Sequence, residues 1–206
     1  MFGKRKIPMD VKSYSVPFET TKGKDILMHF IGSYASDKAL DFRIESYLRE
    51  KYQTRKPKLV FEDRIGSVSA NVYKKHGVLN DNPNAIEIVK YLLELKGENP
   101  EAYINLINVE EEYKGLGIGT AMMDFAEYQI ARNLFQLKQP KILLYGAFVP
   151  FDISKIPETR RFYTDRGFAT EKYKDVCGRS LEMIYKMLDR EEVMDRPNRK
   201  DFERIL

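Results

Sequence analysis

Glu112-Tyr113-Lys114-Gly115-Leu116-Gly117-Ile118-Gly119-Thr120-Ala121-Met122-Met123 decides how the rest of the chain is read. It follows the apolar run Tyr103-Ile104-Asn105-Leu106-Ile107-Asn108-Val109, which has the character of a buried strand. It opens a helical pattern that places Ile118, Met122, Phe125, Ala126, Ile130 and Leu134 on one face. Strand, glycine loop and helix therefore follow one another. Alternate glycines let the chain turn tightly and present successive N–H groups, and the helix N-terminus adds its positive dipole end. Such a loop suits a phosphate.

Spacing narrows the choice of phosphate ligand. A nucleotide triphosphatase loop needs Gly-Lys and then Ser or Thr after the last glycine, but Gly119 precedes Thr120-Ala121 and Lys114 stands ahead of the glycines. The dinucleotide fingerprint needs a third glycine where Thr120 stands. Both motifs fail.

Lys114-Gly115-Leu116-Gly117-Ile118-Gly119 instead resembles the acetyl-coenzyme A loop of the GNAT superfamily of N-acetyltransferases: Arg or Gln, two residues, Gly, one residue, Gly or Ala. Lys114 replaces the usual Arg or Gln. Val109-Glu110-Glu111-Glu112-Tyr113 is similar to the family's Val-x-Pro-Glu-Tyr without the proline, and Arg161-Phe162-Tyr163-Thr164-Asp165-Arg166-Gly167-Phe168 to its Phe-Tyr-x-x-x-Gly-Phe segment. The resemblance spans residues 101–188. It implies an α/β (α+β) fold with a central mixed, mostly antiparallel sheet of about seven strands and helices on both faces.

The rest of the chain is read against that plan. Val11–Val16 alternates as a first strand ending at Pro17. Ile26, Leu27, Phe30, Ile31 and Tyr34 predict a helix over 24–34; Leu40, Ile44, Tyr47 and Leu48 predict a second over 37–52, with Ser36 as N-cap. His29 is read as a packed helix residue. Lys58–Glu62 and Ser67–Tyr73 read as the second and third strands of the family plan. Ala85–Leu95 predicts an extra helix between strands 3 and 4, either a packing element or a lid or wall over the acceptor groove or a dimer contact. Lys141–Val149 is a strand, a helix runs from Pro157 to about Arg166, and Phe168–Lys174 with Ser180–Leu188 form a final antiparallel pair. Domain boundaries are set at 1–8 (basic arm), 9–188 (one acetyltransferase domain) and 189–206 (charged tail with a short helix).

Composition excludes several classes. The 206 residues are 43% hydrophobic and 32% charged, with net charge +4, which fits a soluble globular protein and excludes a disordered chain. No apolar run approaches the ~18 residues of a membrane span. One cysteine, Cys177, permits no internal disulfide and suits the reducing cytoplasm. His29 and His76 lack the neighbours of a metal site, so no metal is expected.

The resemblance also implies the chemistry. Pantetheine would insert between the family's fourth and fifth strands, with the backbone at Ile107, Asn108 and Val109 bonding its amides and polarising the thioester. Pyrophosphate would rest on N–H groups of Gly115, Leu116, Gly117, Ile118, Gly119 and Thr120, with the Lys114 ammonium beside them. Tyr163 is implied as the acid for the departing thiolate, since a phenol of reference pKa ~10 matches a thiol of ~8.5. The strand offers Tyr103, Asn105 and Asn108 but no carboxylate base. Asn105 is the second catalytic candidate, with a water or an already neutral amine completing the deprotonation. The family's Asn seven residues before the tyrosine is replaced by Ile156, and Arg160 or Arg161 could reach the cofactor's 3′-phosphate.

The function implied is acetyl transfer from acetyl-CoA to a primary amine by direct attack in a ternary complex. The acceptor is left open among a small molecule, a protein amine and an aminoacyl-tRNA. A non-catalytic acyl-CoA sensor or structural module of the same fold is the alternative, and the last strand pair would permit a homodimer.

Overall fold

The computed structural model describes residues 10–34, 38–52, 59–73, 102–133, 141–148, 156–174, 178 and 180–195. Eight strands make one sheet: β1 (Asp10–Glu19), β2 (Asp25–Tyr34), β3 (Lys38–Leu48), β4 (Arg64–Tyr73), β5 (Ala102–Val109), β6 (Lys141–Phe148), β7 (Ala169–Lys174) and β8 (Ser180–Asp189). Their order is β1-β2-β3-β4-β5-β6-β8-β7, antiparallel throughout except for β5 with β6. Among the described residues the helices are α1 (Ile118–Asn133), α2 (Ile156–Thr164) and α3 (Arg190–Asp195). The mixed, mostly antiparallel sheet matches the expectation.

The first third of the chain corrects it. The two helices expected over 24–34 and 37–52 are the strands β2 and β3. Leu40, Ile44 and Leu48 stand four apart, a spacing common to a helix stripe and to one face of a strand. The residues between them decide the matter: Phe42 and Ser46 are buried with them, and on β2 Ile26, Met28, Phe30 and Gly32 alternate in the same way. His29 accordingly lies on a strand, where its Nδ1 is 2.9 Å from Ser15 Oγ. The strand expected over 58–62 is also replaced: Phe61–Asp63 is a 3-10 turn leading into β4. β1 runs through Pro17, opposite Leu27, and an edge strand tolerates proline because its outer side has no ladder partner among the described residues. Ser36, His76, the helix expected over 85–95, Leu134 and Cys177 lie outside the described residues.

The inner face of β1 to β5 packs on α1. Val16, Met28, Phe30, Ile44, Val68 and Ile104 meet Ile118, Met122, Phe125, Ala126 and Ile130, all at most 3% exposed. Tyr14 stacks on Phe30 at 4.9 Å, and Phe125 stands edge-on to Phe30 at 6.4 Å. Burial on this scale contributes on the order of 2 kcal/mol per large side chain, so α1 is fixed and its N-terminus has one position. α3 adds Val193, 2% exposed, to the same core.

Candidate active site at the β5–β6 fork

β5 is held differently on its two sides. Toward β4 it is paired along its length, from Ala102 opposite Val72 to Val109 opposite Gly66. Toward β6 the parallel pairing, among the described residues, covers only Ala102–Leu144, Tyr103–Tyr145 and Ile104–Gly146. Among the described residues, the backbone N–H and C=O groups of 105–109 on the β6 side therefore have no strand partner. A register shift between Ser69 and Ala70 makes Asn105 the extra residue of β5, a bulge where the strands part. Burial changes there too: Ala102 and Ile104 are buried, whereas Asn105, Leu106 and Asn108 are exposed.

The glycine loop begins where β5 ends. A 3-10 turn, Glu111–Tyr113, leads to Lys114, and Gly115 and Gly117 take φ of +77° and +79° before α1 starts at Ile118. Non-glycine residues rarely adopt that left-handed region. A Cβ on Gly115 would meet nothing within 4 Å. At Gly117 space matters as well, since a Cβ would lie 3.1 Å from Thr21 Oγ1 and 3.3 Å from Thr20 Cβ. The turn between β1 and β2 therefore packs on the loop, and Thr20 Oγ1 donates to the Leu116 carbonyl at 2.7 Å. Sequence reasoning missed this contact because it placed a helix start at Lys24. The Lys114 ammonium, expected beside the phosphates, is 2.6 Å from Glu111 Oε2.

α2 carries Tyr163 to the same region. Phe162 packs at the start of α1: a Cβ on Gly119 would be 3.4 Å from the Phe162 ring and 3.6 Å from Val109 Cγ2. Tyr163 is 6% exposed, edge-on to Phe162 at 5.2 Å and to Phe168 at 5.6 Å. Burial pushes its phenol up to about 12, so it holds its proton across the neutral range. Its carbonyl accepts from the N–H groups of Arg166 at 3.0 Å and Phe168 at 3.1 Å, which closes the helix into the turn at Gly167.

Two polar networks lie beside these elements, and neither is apparent from residue spacing. On α1, Glu127 is fully buried and 3.3 Å from Lys186 Nζ and 3.8 Å from Arg166 Nη2, while Arg166 also hydrogen-bonds Asp124. On the sheet face away from α1, Asn105 Nδ2 donates to Asn71 Oδ1, and Asn71 Nδ2 donates to Asp41 Oδ1 at 2.5 Å. That amide–carboxylate chain crosses three strands and ends at the bulge. The arginines of α2 are engaged elsewhere: Arg160 forks onto Glu182 at 2.8 and 3.2 Å, and Arg161 lies 3.4 Å from Asp165. Among the described residues no group of three or more His, Cys, Asp or Glu is arranged to hold a metal, and no helix is long and apolar enough to cross a membrane.

A one-sided strand and a left-handed glycine loop at a helix start adjoin here, and Phe162, next to the buried phenol of Tyr163, packs on the loop at Gly119. Among solved structures, a point mutant of the toxin AtaT bound to the C-terminus of the antitoxin AtaR and acetyl-CoA is 8% identical, with 75% of this chain and 71% of that chain covered and a TM-score of 0.43. Mosquito arylalkylamine N-acetyltransferase like 5b is 14% identical, with 71% and 74% covered and a TM-score of 0.40. Spermidine/spermine N-acetyltransferase SpeG from Vibrio cholerae, in complex with manganese ions, is 15% identical, with 76% and 70% covered and a TM-score of 0.37. At these identities and TM-scores they add nothing to the family assignment. No match is found among curated proteins. The profile of the Acetyltransferase (GNAT) family matches residues 37–145, more than half of the 206 residues. On that match the chain belongs to the GNAT family and is an acetyltransferase.

Proposed function

We propose that the chain binds acetyl-CoA in the fork between β5 and β6 and transfers its acetyl group to a primary amine by direct attack in one ternary complex. The observation that carries this reading is the one-sided pairing of β5, bonded to β4 through Val109 but, among the described residues, to β6 no further than Ile104. An extended amide-bearing ligand fits such an edge as an added strand would. The cosubstrate fits the residues present, because the loop at Gly115 is open where a Cβ would sit and its N–H groups stand at a helix start.

Bound acetyl-CoA supplies the activated acetyl thioester; the protein supplies position and protons. The backbone of Ile107, Asn108 and Val109 bonds the pantetheine amides and the thioester carbonyl oxygen. The N–H groups of Gly115, Leu116, Gly117, Ile118, Gly119 and Thr120 hold the pyrophosphate, with Lys114 at the rim. Tyr163 keeps its proton until the thiolate leaves and gives it up then. Asn105, its amide N–H committed to Asn71, turns its Oδ1 to the attacking amine and orients it. The amine enters neutral or loses a first proton through water, and the proton that its nitrogen sheds on forming the amide returns through water to the Tyr163 phenolate, leaving the thiol and the amide as products. The acceptor class stays open among small amines, protein amines and aminoacyl-tRNA.

Calorimetry with acetyl-CoA, followed in the same sample by thiol release with a panel of primary amines, tests this for the wild type and Tyr163→Phe. Binding together with amine-dependent release that the Phe variant largely loses is the expected result. Failure to bind acetyl-CoA would overturn the site.

A further inference from the structure

We infer that the β1–β2 turn is part of the cosubstrate site and that Lys22 supplies a cation to the phosphate groups of coenzyme A; this rests on the reading of the glycine loop given above. The turn is a rigid piece. Thr20 N–H donates to the Lys24 carbonyl at 2.9 Å, Gly23 N–H to the Thr20 carbonyl at 2.8 Å, and Gly23 takes φ of +72°. Thr20 is 3% exposed and its hydroxyl works both ways, accepting from Lys24 N–H at 3.1 Å while donating to the Leu116 carbonyl at 2.7 Å. The turn is thereby tied to the middle of the phosphate loop.

Lys22 sits at the point of contact. Its Cγ is 3.5 Å from where a Cβ on Gly117 would be, so its aliphatic stem runs beside the loop and its ammonium, up to about 4 Å further along a flexible stem, can reach a group held there. Lys22 is exposed and has no ion-pair partner among the described residues. Other cations on these elements are already ion-paired: Lys114 with Glu111, Arg160 with Glu182 and Arg161 with Asp165. A phosphate on the loop would therefore find, besides Lys114 at the rim, a cation on the turn that has no ion-pair partner among the described residues. This explains why a threonine pair and a lysine lie against Gly117.

The test is calorimetric titration of wild type, Lys22→Ala and Lys22→Arg with coenzyme A and with 3′-dephospho-coenzyme A. The expected result is a Kd raised about three- to tenfold in Lys22→Ala, recovered in Lys22→Arg, with a weaker salt dependence in the Ala variant. A loss confined to coenzyme A assigns Lys22 to the 3′-phosphate, and an equal loss with both ligands assigns it to the pyrophosphate. Lys22→Ala binding both ligands as tightly as wild type would overturn the inference and leave the loop reading intact. Wild type binding neither ligand would overturn the loop reading, and this inference with it.

Discussion

A Cβ on Gly146 would lie 3.0 Å from the carbonyl oxygen of Ile104, its partner on the last parallel rung before β5 and β6 part. The obstacle is backbone, which cannot swing aside as a side chain can, and Ile184 Cγ1 stands 3.4 Å away on the other flank. Gly146 therefore permits the close approach that sets where the fork begins. Gly146→Val is expected to destabilise the fold by about 2–3 kcal/mol and to weaken coenzyme A binding beyond what that loss explains. Urea unfolding and calorimetry check this; a variant with wild-type affinity would separate the rung from the site.

How much of this was legible in the sequence depends on the range of the interaction. The glycine loop, α1 and the final strand pair are set by local pattern, and each was readable from spacing. The β1–β3 meander was not, because Leu40, Ile44 and Leu48 satisfy both periodicities and pairing with β2 and β4 settles the choice. The contact of Thr20 with Leu116 spans 96 residues and depends on that meander, so no local rule could reveal it. The same holds for Asn71, whose place beside Asn105 follows from register alone. Tyr163 was legible as part of a motif, but its environment, two edge-on rings and deep burial, was not.

That environment makes a pH prediction. Burial raises the Tyr163 phenol from 10.0 to about 12, above its value in the unfolded chain. Between those values the folded protein holds a proton that the unfolded chain releases, so stability is full below pH ~10 and is lost as pH rises through ~12. The size is about 2–3 kcal/mol. Burial and the bond to Glu45 also raise the Tyr47 phenol, but that effect is common to wild type and Tyr163→Phe and cancels between them. Thermal unfolding from pH 9 to 11.5 should show a shallower decline in the Phe variant, whose amine-dependent thiol release should fall about 10²-fold. Parallel stability curves would contradict the burial argument.

Arg166 joins the phenol to α1. Its N–H donates to the Tyr163 carbonyl, and its guanidinium meets Asp124 and Glu127, with side-chain exposures of 12%, 18% and 0%. Removing the guanidinium takes a cation from both Asp124 and Glu127 and leaves Glu127 its ion pair with Lys186, the situation in which a broken buried pair costs about 3 kcal/mol. Arg166→Met should lower the urea midpoint accordingly and loosen α2 against the loop, so that kcat falls more than KM for acetyl-CoA rises. Arg166→Lys should recover part of the stability, since a point charge can reach one carboxylate but not fork across two. Equal losses in stability and activity for both variants would count against a positioning role.

The chain from Asp41 through Asn71 to Asn105 makes the last prediction. The carboxylate fixes Asn71, whose carbonyl oxygen takes one amide hydrogen of Asn105, and the orientation of the bulge carboxamide follows from that sequence of bonds. Asn71 lies two strands from β6 and outside the glycine loop, so Asn71→Ala should leave coenzyme A affinity unchanged. It should lower kcat/KM for the amine about tenfold, as expected for one hydrogen bond to a reacting group. Asn105→Ala should cost about the same, and the double variant little more, because residues acting through one bond are not additive. Steady-state kinetics on the three variants, with the best amine of the panel, decides it. Additive losses would mean that Asn71 and Asn105 act separately, and an Asn71→Ala enzyme with wild-type turnover would remove Asn105 from the reaction.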